Sequence, residues 1–477
     1  MTDLPPDSSP PPERVPLRVW LLAWYGLAVL ITASILAAVD RQILVLLAEP
    51  IRQSLDLSDT KLGLLQGAGI ALFSGLAAVP LGWMADRFGR KWVLAGCVLV
   101  WTAATAACGM AWDFTSLFIA AIGLGIGEAG LAPVVYGLIP DMVPASRRVL
   151  ANGIFALASI LGAGLGIGLS GTMIGAIDTI RMVLPAALHD VDAWRLSFFA
   201  VAIPGPIVAA LIVMIRLRPV PAVATDPARP EVPPQTVRVY LRRHAGTVAG
   251  VFGGSGLGGL GIQALAAWVP VLAARRFGAS AQQVGEGIGA AYMIGTVGGA
   301  LLGALGVKLL RPHAGVATPL RVLGIGTGMA AIVSACLPLA ASAMHLYVLF
   351  GLQVVCLITA TVVAPTLLQD MTPPALRSRV IALASVFTTL MGAMSPVLVG
   401  LVSDGLAAHA NALGLAVALV ASISMGLGAL VTWRAERSFV RTVSELAGQD
   451  DPPPRVRPHT ADTAPIARTS SPSPSHP

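Results

Sequence analysis

VWLLAWYGLAVLITASILAAVDRQILVLL, residues 19–47, is apolar throughout except near its far end, where Asp40 and Arg41 stand side by side. About 20 apolar residues in helix cross the hydrocarbon of a bilayer, so the run is long enough to span. It is too long for a cleaved signal peptide and has no small-residue cleavage site before its acidic end, which makes it a retained first membrane helix. A charge in hydrocarbon costs at least ~2.5–3.5 kcal/mol, and such side chains line a water-filled or substrate-filled path. A further acid, Glu128, sits in the middle of another apolar run. The three residues together point to a transporter.

The composition agrees. Of 477 residues, 55% are hydrophobic and 12% charged, with a mean hydropathy of +0.78, whereas soluble domains carry about 25% charge. The net charge of +7 is scattered over short loops and forms no stripe with interleaved aromatics, which excludes a nucleic-acid partner. Cys97, Cys108, Cys336 and Cys356 all lie in apolar segments and read as small core residues. The chain has no Gly-x-x-x-x-Gly-Lys-Ser/Thr, so an ATP motor would have to come from a partner, and no His-Glu-x-x-His. Nothing calls for a metal or organic cofactor.

Apolar runs place twelve helices at about 19–47, 62–84, 92–112, 115–139, 150–174, 196–215, 246–273, 285–308, 321–342, 345–369, 380–403 and 412–433. Uniform apolarity rules out the alternation of barrel strands, leaving an all-α polytopic membrane protein. Trp20, Trp92, Trp112, Trp194, Trp268 and Trp433 fall near span ends, as interfacial anchors do. Lys and Arg concentrate in the tails and the even-numbered connections, which puts both termini in the cytoplasm of a cell (inner) membrane protein. The expected organisation is a disordered tail (1–16), a six-helix bundle (17–215), a proline-rich cytoplasmic linker (216–245), a second six-helix bundle (246–433) and a disordered tail (434–477).

An internal repeat supports two pseudo-symmetric halves. Asp141-Met142-Val143-Pro144 with Arg147 and Arg148 recurs 229 residues later as Asp370-Met371-Thr372-Pro373 with Arg377 and Arg379. Each copy joins the fourth helix of its half to the fifth, as parallel repeats do. Gly125-x-Gly127-x-x-Gly130, Gly166-x-Gly168-x-x-Gly171 and Gly256-x-Gly258-x-x-Gly261 satisfy the dinucleotide pattern but lie inside spans. Their small residues suit close helix packing instead, and the glycines of helix 5 suit sliding as well.

Between helices 2 and 3 stands Gly82-Trp83-Met84-Ala85-Asp86-Arg87-Phe88-Gly89-Arg90-Lys91. Gly89 permits a tight turn, and Arg87, Arg90 and Lys91 hold to the headgroups. This resembles the signature loop of the major facilitator superfamily, and the resemblance extends from about Arg18 to Trp433. It implies the twelve-helix fold of two bundles and a monomer. It also implies a gate in which Asp86 faces the positive start of helix 11 near Val380, worth ~0.3–1 kcal/mol when exposed and up to ~2 when partly buried. Asp141, Arg147, Asp370 and Arg377 are expected to serve the same gate. The equivalent loop of the second half, around Gly306, Lys308 and Arg311, lacks an aspartate.

Three further segments look like the spinster group of that superfamily: Ala38-Val39-Asp40-Arg41-Gln42, Gly63-Leu64-Leu65-Gln66, and Gly125-Ile126-Gly127-Glu128-Ala129-Gly130. That resemblance implies lysolipid or sphingoid-phosphate transport, generally coupled to protons. Carriers of sugar acids share the Asp-Arg and Glu-Ala pairs, so small organic anions remain an alternative. The arginine usual seven residues before the glutamate is Ala121 here, so Glu128 must be balanced by Arg41 or by a proton.

A carboxyl that alternates between dry and wet surroundings changes its hold on H⁺. On that basis Glu128 carries the proton, Asp40 tunes or shares it, and Arg41 alternates between these acids and an anionic head group. Capping of helix 1 at the outer surface is the plainer role for Asp40 and Arg41. The expected substrate contacts are Arg41, Gln66 and Tyr136 in the first half, and Gln263, Trp268, Tyr292, Gln353, Thr388 and Thr389 in the second, the latter group equally suited to helix packing. A charged first half facing a neutral second half suits a solute with a charged head and a hydrophobic part. A sensor that kept the fold, or a lipid-handling enzyme using Asp40 and Glu128 as an acid pair, also stays open.

Overall fold

A computed structural model describes residues 17–143, 147–180, 183, 185, 189–216, 234–374 and 376–450, and among these there is no strand. Eleven apolar stretches are long enough to cross a membrane, and one of them, Ala281–Leu339, holds two helices, which makes twelve spans. Helix 1 is Leu17–Leu46; helix 2 is Asp59–Gln66 continued by Ala68–Phe88; helix 3 is Arg90–Gly109; helix 4 is Phe114–Ala129 continued by Leu131–Met142. Helix 5 is Arg148–Ile180, and helix 6 is Ala193–Ala202 continued by Pro204–Val213. The second half holds helix 7 (Ala245–Phe277), helix 8 (Ala281–Ala314), helix 9 (Thr318–Ala335), helix 10 (Ala343–Thr361 continued by Ala364–Asp370), helix 11 (Arg377–Gly405) and helix 12 (Ala412–Arg434).

Local chemistry sets the ends. Ser58, Asp113, Ser280 and Ser342 cap helices 2, 4, 8 and 10, each side chain accepting from a backbone N–H three residues on. Gly89, at φ +94°, makes the turn between helices 2 and 3 that a side chain would strain. The 229-residue repeat is visible in three dimensions. Arg148 Nη2 donates to the Pro140 carbonyl at 3.1 Å and Arg377 Nη2 to the Gln369 carbonyl at 3.4 Å, closing the ends of helices 4 and 10 alike. The caps Asp113 and Ser342 stand at the same offset.

Two segments differ from expectation. Within the linker, Pro234–Arg243 is a helix, and within the C-terminal tail so is Glu436–Asp450. Both are amphipathic and lie on the ends of helices 9 to 11: Val237, Tyr240 and Phe439 bury against Leu320, Met371 and Val380. The Tyr240 hydroxyl donates to the Met371 carbonyl, and Arg321 pairs with Glu436 at 2.6 Å. Proline and charge around these short segments masked their period in the sequence. Residues 1–16, 217–233 and 451–477, and Pro144 of the repeat, lie outside the described residues. Trp92, Trp112 and Trp433 are exposed, as interfacial anchors should be, but Trp194 and Trp268 are buried core residues. The side chain of Trp20 lies outside the described set.

The halves meet along helices 2 and 11 and along helices 5 and 8. One end of the molecule, the acidic face, carries Glu49, Asp59, Asp113 and Asp404; the other, the basic face, carries Arg87, Arg90, Lys91, the linker helix and the C-terminal helix. Toward the acidic face the two bundles touch backbone to backbone: Gly63 lies on Pro396, Gly400 on Asp59, and Gly171 on Gly285. Toward the basic face a Cβ added at Gly75, Gly82 or Gly153 would meet nothing within 4 Å. The bundles therefore form a wedge that is shut at the acidic face.

Candidate functional site

A cavity of about 490 Å³ lies inside this wedge, lined by Arg41 of helix 1, Gln66, Ile70 and Ser74 of helix 2, Glu128 of helix 4, Gln263 of helix 7, and Thr388 and Thr389 of helix 11. Glu128 accepts from Arg41 through one oxygen, Oε2, at 2.6 Å from Nη2 and 3.1 Å from Nε. The Arg41 side chain is 67% exposed and that of Glu128 only 7%. The acid thus sits in the wall while the guanidinium reaches into the space. Among the described residues Glu128 Oε1 and both side-chain polar atoms of Gln66 are buried without a partner. Unpaired buried polar atoms are costly, and these three belong to residues in the wall of one cavity.

The other expected contacts sit elsewhere. Asp40 is one residue from Arg41 but turned about 100° around the helix. It is 1% exposed and accepts from the Thr105 hydroxyl of helix 3 at 3.0 Å. Trp268 is wholly buried, with Nε1 donating to the Pro396 carbonyl at 3.1 Å, and so ties helix 7 to helix 11. Gln353 is buried, with Nε2 donating to Met425 Sδ. Tyr136 is 47% exposed and meets Phe155 edge to face, and Tyr292 lies beside Gly164 at the contact of helices 5 and 8. These five hold helices together and do not line the cavity. No group of three or more His, Cys, Asp or Glu suited to a metal comes together among the described residues.

At the basic face Asp86 is 72% exposed and pairs with Arg90 at 3.2 Å. Arg90 in turn reaches Asp141 at 2.9 Å and the Gly137 carbonyl at 3.2 Å, so it couples the loop to helix 4. Arg87 lies over the rings of Trp83 and Phe88, and Lys91 donates to the Val213 carbonyl at 3.4 Å. Among the described residues Asp86 makes no hydrogen bond to the start of helix 11. Arg147 and Asp370 are exposed at this face, and Gly82 stands in open space.

The acidic face holds a network that sequence reading missed. Arg275, at the end of helix 7, donates to Glu49 Oε2 at 2.9 Å and to both oxygens of Asp59 at 2.8 and 2.9 Å, which bridges the two halves. Ser403 donates to Asp59 at 2.7 Å, and Asp404 accepts from the backbone N–H groups of Asp59 and Thr60 at the positive start of helix 2. Only the charge contrast between Arg275-Arg276 and the acids of the first loop signalled it. Burial works against the Glu49 carboxylate, yet Arg52, Arg275 and Gln53 outweigh it and hold its pKa below the ordinary carboxyl value. An acid depressed in the closed state stabilises closure above the ordinary value and loses that contribution as pH falls through the depressed one. Replacing Arg275 by Met leaves Asp59 buried with Ser403 but no ion-pair partner and Glu49 with Arg52 alone, a penalty of up to ~3–5 kcal/mol that opening relieves. Reaction of a Gln263→Cys side chain with a reagent added at the acidic face should then rise by at least about tenfold. Acidification of the protein that retains Arg275 should move the same readout in the same direction.

Twelve helices in two repeated bundles, wedged around a charged cavity and bridged at one face, have the architecture of a membrane carrier. The family model described as Major Facilitator Superfamily matches residues 30–396, and the chain belongs to that superfamily. It is a membrane transporter related to spinster proteins and to sugar-acid carriers. Two crystal structures of a bacterial homologue of the human lysosomal transporter Spinster, both inward-facing and one of them occupied, share its fold with a TM-score of 0.71. They are 22% and 23% identical, covering 90% and 92% of this chain and 98% and 99% of theirs. An "MFS-type efflux pump" of Mycolicibacterium smegmatis is 27% identical over 89% of this chain and 95% of its own. A hexuronate transporter of Bacillus subtilis (29% identical) and a sphingosine-1-phosphate transporter of Mus musculus (32%) match over 38% and 29% of this chain, and over 39% and 26% of their own.

Proposed function

We propose that this transporter is coupled to protons and moves an anionic amphipath by alternating access. The observation that carries the reading is the Arg41–Glu128 pair at one end of a cavity whose other end is apolar. Beyond Gly259, Ile262, Thr388 and Thr389 the cavity adjoins a second space of about 370 Å³ among helices 7, 9, 10 and 11, walled by Phe252, Leu323, Leu357, Ala360 and Leu368. A head group bearing a negative charge pairs with Arg41, its donors meet Gln66 and Glu128 Oε1, and its chain lies in the apolar space. Gln263, Thr388 and Thr389 border the junction.

Glu128 and Arg41 supply the coupling. When an anion draws Arg41 away, Glu128 is left in a wall only 7% exposed, where a lone carboxylate is costly, and it takes a proton. Return of Arg41 after the solute leaves releases that proton. Asp40, behind helix 1 and held by Thr105, is a second acceptor out of reach of the solute. By the positive-inside rule the basic face is cytoplasmic, so the chain here opens inward in a cell membrane with both termini inside. For that face to close, Asp86 exchanges Arg90 for the start of helix 11, and Arg87, Gly89, Lys91, Asp141, Arg147, Asp370 and Arg377 form the hinge around it.

Thermal shift with lysophospholipids and sphingoid phosphates of increasing chain length, against hexuronates, tests the substrate class. Each buried CH₂ is worth ~0.8 kcal/mol, so affinity should rise roughly tenfold for every two methylenes until the apolar space is full, and Arg41→Ala should abolish the response. A flat series together with tight hexuronate binding would overturn the amphipath reading. It would support transport of small organic anions, the reading favoured by the sugar-acid carriers among the relatives.

A further inference from the structure

We infer that the basic face carries a binding site for an anionic phospholipid of the surrounding leaflet, separate from the transport cavity. A groove of about 740 Å³ runs between the linker helix, Pro234–Arg243, and the first turns of helix 11. Its floor is apolar, made by Val237, Leu241 and Ala245 on one side and Ala382, Leu383 and Val386 on the other, and Arg238, Arg242 and Arg379 stand along it.

Helical spacing builds the two walls. Residues 238, 241 and 242 recur at three and four positions, with Ala245 following at the start of helix 7, and 379, 382, 383 and 386 do likewise, so each wall is one stripe with basic groups at intervals along an apolar strip. The inner stripe of the linker helix is already committed, because Tyr240 is buried and its hydroxyl is bonded to Met371, while Val237, also buried, stands at the border between that stripe and the groove. The outer stripe has the groove to itself. On helix 11, Leu383 is 44% and Val386 57% exposed. Seven residues on from Val386, the same stripe continues through Ala393, and fourteen on through Gly400, both of which pack against helix 2. The stripe is covered where helices 2 and 11 touch and bare where they part.

The occupant follows from charge and depth. Acyl chains match the apolar floor, while guanidinium groups are suited to bidentate contact with a phosphate. The site lies at the membrane end where the basic loops gather, and a basic side chain next to an anionic membrane surface contributes about 1 kcal/mol. A zwitterionic lipid would fill the floor equally well but gain far less from three arginines. None of these residues lines the cavity between the bundles, so the site stands independently of the substrate reading.

Native mass spectrometry of the full chain, purified in detergent with phosphatidylglycerol or phosphatidylcholine of matched chains, reads the site directly. One phosphatidylglycerol should be retained in preference to phosphatidylcholine, and the double variant Arg238→Gln with Arg242→Gln should bind it about thirtyfold more weakly. The control pair Arg434→Gln with Arg437→Gln, exposed at the same face, should leave retention unchanged. In vesicles, a Leu383→Trp variant should be quenched more by brominated phosphatidylglycerol than by brominated phosphatidylcholine, and the arginine double variant should erase that difference. Equal retention of both lipids, an effect of the control pair equal to that of the groove pair, or no quenching at Leu383→Trp because residues 217–233 fill the groove would each overturn the proposal.

Discussion

Replacing Glu128 by Gln should abolish accumulation of solute against its gradient in proteoliposomes driven by a pH difference, while solute-for-solute exchange survives. Gln keeps the size of the side chain and still accepts a hydrogen bond from Arg41, but it cannot take up or release H⁺. Exchange needs the halves to rock and the head group to bind; accumulation also needs a proton to travel with the cycle. The substitution should cost little stability. Breaking a buried pair costs ~3–5 kcal/mol when the remaining charge stays buried, but here the remaining partner, Arg41, is two-thirds exposed to the cavity and keeps its hydration. Thermal unfolding within a few degrees of the parent, with accumulation lost and exchange kept, is the expected result. Accumulation at the parent's level in Glu128→Gln would remove Glu128 from the proton path.

Gly285→Val should have a comparable effect on transport by a wholly steric route. A Cβ built at Gly285 would lie 2.6 Å from the Gly171 Cα and 2.8 Å from the Ile167 carbonyl oxygen. Those neighbours are backbone and cannot rotate away. Helices 5 and 8 must separate toward the acidic face, which undoes the closure that Arg275, Asp59 and Glu49 secure. Overpacking of this kind costs ~1–3 kcal/mol, enough to change the ratio of closed to open molecules by roughly 5- to 150-fold. Transport should fall to a few per cent, and Gln263→Cys should become reactive from the acidic face. Gly153→Val on helix 5 is the matched control, since no atom lies within 4 Å of its added Cβ, and it should transport normally. Normal transport and unchanged reactivity in Gly285→Val would show that the Gly171–Gly285 contact is not what closes this face.

The pairing of Arg41 with Glu128 shows how much of the site could be read in advance. Two charges in apolar runs and a missing arginine at Ala121 were enough to require a partner, and the cavity brings them to 2.6 Å. Gln66, Gln263, Thr388 and Thr389 also line that cavity. Trp268, Gln353, Tyr292 and Tyr136 satisfy the same rule, a polar or aromatic group in a span, and the structure uses them to join helices. Composition cannot separate the two uses, because a polar side chain inside a membrane must find a partner whether that partner is a solute or another helix. The Arg275–Glu49–Asp59 bridge was beyond reach for another reason. Its members stand 216 and 226 residues apart, with no local pattern to associate them.

The sequence by itself determined the twelve spans, the two halves and their repeat. In hydrocarbon each peptide group must be paired inside its own helix, so local apolarity decides the secondary structure and the loops decide orientation. Tertiary structure alone decided which side of each helix looks inward. Lipid and protein neighbours are both apolar, so a helix such as 1 or 11 carries little in its sequence to say which stripe meets the cavity, which meets a partner helix and which meets the bilayer. A turn of about 100° between Asp40 and Arg41 puts one behind the wall and the other into the solute's path, and only packing against helices 3 and 4 fixes which is which.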